Sequence, residues 1–166
     1  MNYRLVKPSP EELEELRTIA SLQFHGVGRE FIPDDIMIAY SPTTYRIRAI
    51  YHQGKLLATL RANDYKLILR IWGGIRLNNI LEKPLLRVMV SNKYSKFISE
   101  GGNVFCKHVV FMDPNIRPHD EVLVVDEEWN LIAVGKALLP GWITTLFNRG
   151  EAVRVRESIG SGSVIK

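Results

Sequence analysis

At 166 residues and 46% hydrophobic content, the chain has room for one medium domain or two small ones with buried cores. A net charge of +4 and a pI near 9.3 permit a polyanionic partner without requiring one, because so small an excess is ordinary for a soluble protein. The single cysteine, Cys106, excludes a disulfide within the chain and argues against a thiolate zinc site. No stretch approaches the roughly 18 consecutive apolar residues of a membrane span or has the layout of a signal peptide, so the expected location is the cytoplasm.

The first element announces itself by its cap. Ser9 at the N-cap, Pro10 at the first helical position and Glu12 three residues after the cap form a capping-box pattern, and Leu13, Leu16, Ala20 and Phe24 follow at spacings of three and four as a buried stripe ending at Gly26 and Gly28. Glu11, Glu12, Glu14 and Glu15 suit the positive end of the helix dipole and read as a solvated first turn.

From Tyr45 the hydrophobic period becomes two, which predicts a three-stranded antiparallel meander with turns at Gln53-Gly54 and Asn63-Asp64 and an end at Gly73-Gly74. A two-residue hairpin at Gln53-Gly54 would pair Ile50 with Leu57, Arg48 with Thr59 and Arg46 with Arg61, and the next turn would add Lys66, Ile68 and Arg70 to the same face. That face would be basic and free of acid, with Arg46 directly opposite Arg61. Such an arrangement costs stability unless an anion such as phosphate is present; a solvated arginine face is the competing reading.

Glu82-Lys83-Pro84 marks a boundary, since proline cannot continue a ladder, and divides the chain into domains 1–83 and 84–166. After it come a strand at Leu86 to Val90, a helix capped by Ser91 or Asn92 and closed at Gly101-Gly102, and strands at Val104 to Phe111, Val122 to Val125, Leu131 to Ala137 and Ala152 to Arg156. A short apolar helix is expected between Leu138 and Phe147. The four histidines have no metal-ligand spacing, Gly26-Val27-Gly28 is too short for a dinucleotide fingerprint, and no Gly-Lys-Ser or Gly-Lys-Thr occurs. Asp126-Glu127-Glu128 reads as a solvated turn rather than a metal site. No cofactor is expected.

The segment Asp113 to Val122, followed by Leu131-Ile-Ala-Val-Gly-Lys-Ala137 and Gly150-Glu-Ala-Val-Arg-Val-Arg156, resembles in order and spacing the PUA domain, a small β-barrel-like fold found in pseudouridine synthases and archaeosine tRNA-guanine transglycosylases. The resemblance covers roughly residues 84 to 160 and departs at His119-Asp120, where the family usually has Gly-Asp at a turn of positive φ. The N-terminal half resembles the intermediate domain that precedes PUA in archaeosine transglycosylase, through Arg17, Ile19-Ala20, Gln23-Phe24, Gly26, Gly28, Arg46-Ile47-Arg48 and Gly54 to Asp64. That enzyme's catalytic barrel needs about 200 residues or more of repeated βα units. Neither the repeat nor a zinc-binding cysteine cluster occurs here, so the chain alone is expected not to exchange bases.

Carried over from the PUA family, RNA contact falls on Lys93, Lys96, Gly101, Gly102, Asn103 and Lys107, with Arg154 and Arg156 on the last strand; the register argument adds Arg46, Arg48 and Arg61. The expected protein is therefore of α+β class. An N-terminal helix packs on an antiparallel sheet, a PUA-like, mostly-β pseudo-barrel follows, and the protein is non-catalytic and binds structured RNA, transfer RNA above all. Two alternatives stand beside it: an accessory RNA-binding subunit of a separate modification enzyme, and a protein-interaction module, which exposed Trp72, Trp129 or Trp142 would favour.

Overall fold

Helix α1 (Pro10–Gln23) begins as its sequence dictates: the Ser9 N–H donates to Glu12 Oε1 at 2.9 Å and the Glu12 N–H to Ser9 Oγ at 3.1 Å, closing the capping box. The computed structural model describes residues 4–160, which fall into two compact units divided between Leu81 and Glu82. The class is α+β, with a helix and an antiparallel sheet in the first unit and a nearly closed PUA-like barrel sheet in the second.

In the first unit Leu16, Ala20 and Phe24 are fully buried, and the Phe24 ring meets Phe31 of the short helix α2 (Gly28–Phe31) edge-on at 5.3 Å. Arg17 is buried beside them; its Nε donates to the Ile32 carbonyl at 2.9 Å and its guanidinium pairs with Asp34 at 2.7 Å. The sheet has four strands in the order β1 (Ile36–Tyr40), β2 (Ile47–His52), β3 (Lys55–Leu60), β4 (Leu67–Leu69), all antiparallel. The first of these, Ile-Met-Ile-Ala-Tyr, is apolar throughout and shows no alternation, so it escapes a periodicity reading although Ser41-Pro42 marks a turn after it, and the expected three-stranded meander is corrected to four. Gln23 closes the far edge: its side chain donates to the Leu67 carbonyl at 2.7 Å and accepts from the Leu67 N–H at 2.8 Å, as a neighbouring strand would.

The expected register is also corrected. Ile50 pairs with Ala58, not Leu57, and a bulge then leaves Leu57 as the extra residue of β3. A second bulge, between the Ala39–Ala49 and Tyr40–Ile47 pairs, leaves Arg48 without a partner in β1. Ile50 and Leu57 belong to the core, not to a basic face. Gly73-Gly74 does not end a strand; both residues lie in α3 (Ile71–Ile80), which begins directly after β4. A side chain at Gly73 would stand 2.0 Å from the Leu57 carbonyl oxygen, so glycine is what lets this helix lie on the bulge of β3.

In the second unit six strands run in the order β6 (Val104–Phe105), β10 (Glu151–Ser158), β9 (Leu131–Ala137), β8 (Glu121–Val125), β5 (Arg87–Val90), β7 (Val109–Met112), with only β5 and β8 parallel. The expected single strand from Val104 to Phe111 is broken by a 3-10 turn at Cys106–His108, which separates the two outermost strands of the order. The apolar run from Leu138 to Phe147 yields only the short α5 (Gly141–Thr144), because Pro140 restricts where a helix can start. Helix α4 (Asn92–Ser99) is capped by Ser91, whose Oγ accepts from the Lys93 N–H at 3.3 Å. His119 holds φ of 75°, the left-handed turn that its substitution for glycine implies. Among the described residues no helix is long and apolar enough to cross a membrane, and no group of three or more His, Cys, Asp or Glu is placed to hold a metal.

Candidate nucleic-acid interface

Lysines three apart share a helix face, and Lys93 and Lys96 stand exposed on α4. Between and beyond them Tyr94 and Phe97 lean toward His108 at the end of the 3-10 turn, with ring centroids 4.3 and 5.9 Å from the imidazole. Phe105 meets the same ring edge-on at 5.6 Å. His108 is buried, its Nδ1 accepts the Phe105 N–H at 3.0 Å, and burial together with the neighbouring Lys107 charge pulls its pKa below the usual imidazole value. The ring is therefore a neutral hub that fixes three aromatic side chains. Two of those, Phe97 (52% exposed) and Phe105 (38%), remain partly open to solvent, and Lys107 next to His108 is exposed. None of Lys93, Lys96 and Lys107 has an ion-pair partner among the described residues. Sequence reasoning missed the aromatic part, although Tyr94 and Phe97 beside Lys93 and Lys96 were a legible signal.

The acidic turn that reads as merely solvated helps to cap this helix. Glu127 Oε2 accepts from the Asn92 N–H at 2.8 Å, Glu128 Oε1 from the Asn92 amide at 3.1 Å, and Asn92 Oδ1 from the Glu127 N–H at 3.0 Å. Two carboxylates thus sit at the N-terminus of α4, where the helix dipole favours them.

At the other end of α4 the expected contact glycines are occupied by the helix itself. Gly101 takes φ of 108°, the Gly102 N–H donates to the Phe97 carbonyl at 3.0 Å and the Gly101 N–H to the Ile98 carbonyl at 3.0 Å, which is a Schellman motif. Both amides are thereby spent, and Gly102 has the Phe97 ring against it: a side chain there would lie 2.4 Å from that ring. Asn103 Oδ1 accepts the Val155 N–H at 2.9 Å next to a bulge in β10. The two arginines of that strand are committed as well. Arg154 pairs with Glu151 at 3.2 Å, and Arg156 grips Glu121 through two hydrogen bonds of 2.5 and 2.9 Å, with the Glu121 side chain only 1% exposed.

In the first unit Arg46, Arg48 and Arg61 are all exposed, but they do not form the acid-free face expected of them. Arg48 sits on its bulge, whereas Arg46 and Arg61 line one cleft with Glu12 and Glu15. Asp64 accepts from Arg61 Nε at 2.9 Å and Nη2 at 2.5 Å, and that guanidinium holds its carboxyl down at about 2.

Comparison with known proteins accords with this geometry. Residues 86–159 match the PUA domain, and residues 14–84 match the patch-forming domain C2 of tRNA-guanine transglycosylase. The chain carries a C2 domain followed by a PUA domain. The PUA domain is an RNA-binding fold rather than a catalytic one. Over 160 residues the chain is 40% identical to the tRNA-guanine(15) transglycosylase of Pyrococcus furiosus, covering 95% of itself and 27% of that protein. With the enzyme of the same name from Thermoplasma volcanium it shares 40% over 148 residues, covering 88% and 23%. It thus spans about a quarter of the length of these relatives and resembles their C-terminal domains. Two solved structures share the fold over nearly the whole chain. One is a hypothetical protein of Pyrococcus horikoshii (TM-score 0.72, 21% identity, 95% of each chain), and the other is a PUA domain protein of Thermoplasma acidophilum (TM-score 0.70, 22% identity, 99% and 98%).

Proposed function

We propose that this chain binds structured RNA, transfer RNA foremost, through its two domains, residues 1–83 and 84–166, and carries no catalytic centre of its own. The observation that carries the reading is the corner of α4. Lys93 and Lys96 on α4 and Lys107 beside His108 are exposed, none with an ion-pair partner among the described residues. They accompany the partly exposed rings of Phe97 and Phe105 that meet at His108, a combination that offers charge to phosphates and apolar surface to unpaired bases. The exposed guanidiniums of Arg46 and Arg48 add a second basic surface in the C2 domain. Gly101, Gly102 and Asn103 serve that corner by shaping its backbone, and Arg154 and Arg156 serve it by holding β10.

A second reading, that the chain supplies RNA binding to a separate modification enzyme, is supported by the enzyme relatives of which it spans a quarter. The protein-contact surface such a role needs has a candidate in Trp142 and Leu146, 62% and 72% exposed.

The test is transfer-RNA binding to the purified protein as a function of salt. With about four to six phosphates neutralised, log K against log salt should slope at roughly −3 to −5. Replacing Lys93, Lys96 and Lys107 together by alanine should flatten that slope by about 2 to 3. Salt-insensitive binding, or none at low salt, removes the proposal and leaves the protein-contact reading.

A further inference from the structure

Two loops of the C2 domain repeat one another. In the β1–β2 loop the Ser41 N–H donates to the Arg46 carbonyl at 2.8 Å and the Tyr45 N–H to the Ser41 carbonyl at 2.9 Å. In the β3–β4 loop the Arg61 N–H donates to the Lys66 carbonyl and the Tyr65 N–H to the Arg61 carbonyl, both at 2.9 Å. The residue at the fifth position must adopt a left-handed backbone, and in both loops it is tyrosine, at φ of 59° and 57°. Glycine or asparagine would hold that position at less cost. Among the described residues five other non-glycine residues, Leu86 and Trp129 among them, also hold positive φ, so the conformation alone marks no site. What sets the two tyrosines apart is that equivalent positions of two matching loops place them on one cleft.

Both rings border the same cleft. Tyr45 is 81% and Tyr65 47% exposed, and they line a cavity of about 250 Å³ together with Arg46, Arg61, Glu12 and Glu15. That is below the roughly 300–1,000 Å³ of pockets for drug-sized ligands and suits one ring system. The polar groups divide into two sets. Arg61 is held by Asp64, and Glu12 by the Ser9 N–H and the Tyr40 hydroxyl, so Arg61, Glu12 and Tyr40 form the wall. The side chains of Glu15 and Arg46 have no hydrogen-bond or ion-pair partner among the described residues. The cleft therefore presents two open aromatic rings, one free carboxylate and one free guanidinium.

We infer that this cleft receives a single unpaired guanine of the bound RNA, stacked on Tyr45 and Tyr65, with its N1–H and N2 amino group donating to Glu15 and its O6 and N7 accepting from Arg46. Of the four bases only guanine places two adjacent N–H donors on one edge, which a carboxylate accepts, and two acceptors on another, which a guanidinium serves. The inference rests on the RNA-binding reading and adds to it a site in the other domain and a base preference.

The experiment uses the full chain and five-nucleotide RNAs of uridine with a central guanosine, adenosine, cytidine or uridine, with bulk transfer RNA measured in parallel. The guanosine oligonucleotide should bind about tenfold or more tightly than the other three. Y45G and Y65G relieve backbone strain and should keep or raise the thermal midpoint, while each should lower affinity for the guanosine oligonucleotide by roughly tenfold, the usual share of one base–aromatic stack. E15Q should abolish the preference for guanosine over adenosine and leave adenosine binding as it was. Equal binding of the four oligonucleotides, or Tyr→Gly variants that bind as the parent does, overturns the guanine site. In that event, retained transfer-RNA binding leaves the broader reading standing, and loss of all RNA binding by the parent protein removes both.

Discussion

At the α4 corner the left-handed position is filled by Gly101, whereas at the C2 cleft both left-handed positions are held by Tyr45 and Tyr65. The arginines divide in the same way: Arg154 and Arg156 of the PUA domain are tied to Glu151 and Glu121, while Arg46 and Arg48 have no side-chain partner among the described residues. In the PUA domain the polar groups of the last strand and the glycine corner are consumed by the fold, and at the α4 corner lysine and aromatic surface remain for a ligand. In the C2 domain the fold leaves tyrosine, arginine and glutamate unspent around a cleft. A contact residue inferred from its type alone is thus safest where its hydrogen-bonding groups have no partner inside the chain.

The strongest way to break that comparison is to remove Arg156. Its partner Glu121 is 1% exposed, so truncation takes two charge-assisted hydrogen bonds from a buried carboxylate. Breaking a buried pair typically costs about 3–5 kcal/mol; with Arg156 itself 29% exposed, R156A should destabilise by about 2–3 kcal/mol in urea unfolding. The double variant E121L/R156L should recover most of that, since an apolar pair needs no partner. If R156A is as stable as the parent yet loses RNA affinity, Arg156 is a contact residue after all.

Next in size is the difference between two glycines. At Gly73 a new Cβ meets the Leu57 backbone carbonyl at 2.0 Å, and neither the helix nor the bulge can yield cheaply, so G73A should cost about 1–3 kcal/mol. At Gly102 the obstacle is the ring of Phe97, 52% exposed and free to swing outward, so G102A should cost less than about 1 kcal/mol. The displaced ring should then weaken RNA binding more than stability. Equal stability losses at the two sites would show Phe97 to be as firmly held as backbone.

How far the sequence could be read follows from the same particulars. Caps and buried strands are local: Ser9, Pro10 and Glu12 specify α1, and Leu131–Ala137 is delimited by its own apolar run. His119 at a glycine position announced its positive φ. What escaped depends on partners distant in the chain. The bulges at Arg48 and Leu57 arise from how β1 and α3 pack, and no pattern within β2 or β3 records them, so a register counted from the Gln53-Gly54 turn misplaces a face. Gly73-Gly74 reads as a breaker unless the close approach of Leu57 is known. The aromatic hub at His108 and the Tyr45–Tyr65 cleft join segments separated by loops, and only the repeated Tyr-Arg and Tyr-Lys at the loop ends hinted at the latter.

A smaller effect sharpens the picture of the PUA corner. Burial holds His108 neutral, with its pKa below the ordinary 6.5, so as pH falls the unfolded chain takes up a proton before the folded one does. Stability from this residue is complete above about 6.5 and declines as pH drops from there toward the depressed folded value. Urea midpoints at pH 7.5 and 5.5 should differ, and the difference should shrink in H108N, whose Oδ1 can accept the Phe105 N–H without titrating. A parent protein with the same midpoint at both pH values would mean that His108 is charged and compensated.

The smallest effect on stability, and the most informative about RNA, is expected from Arg46 and Arg48. Both side chains are exposed and unpartnered, so R46A/R48A should unfold within the error of the parent. If both contact phosphates, the salt slope for transfer RNA should become shallower by about 2, near one per lost contact. If instead Arg46 faces a base, the slope should change by about 1 only, while the preference for a guanosine oligonucleotide disappears. An unchanged slope and an unchanged preference would confine RNA binding to the α4 corner and leave the C2 cleft without a base.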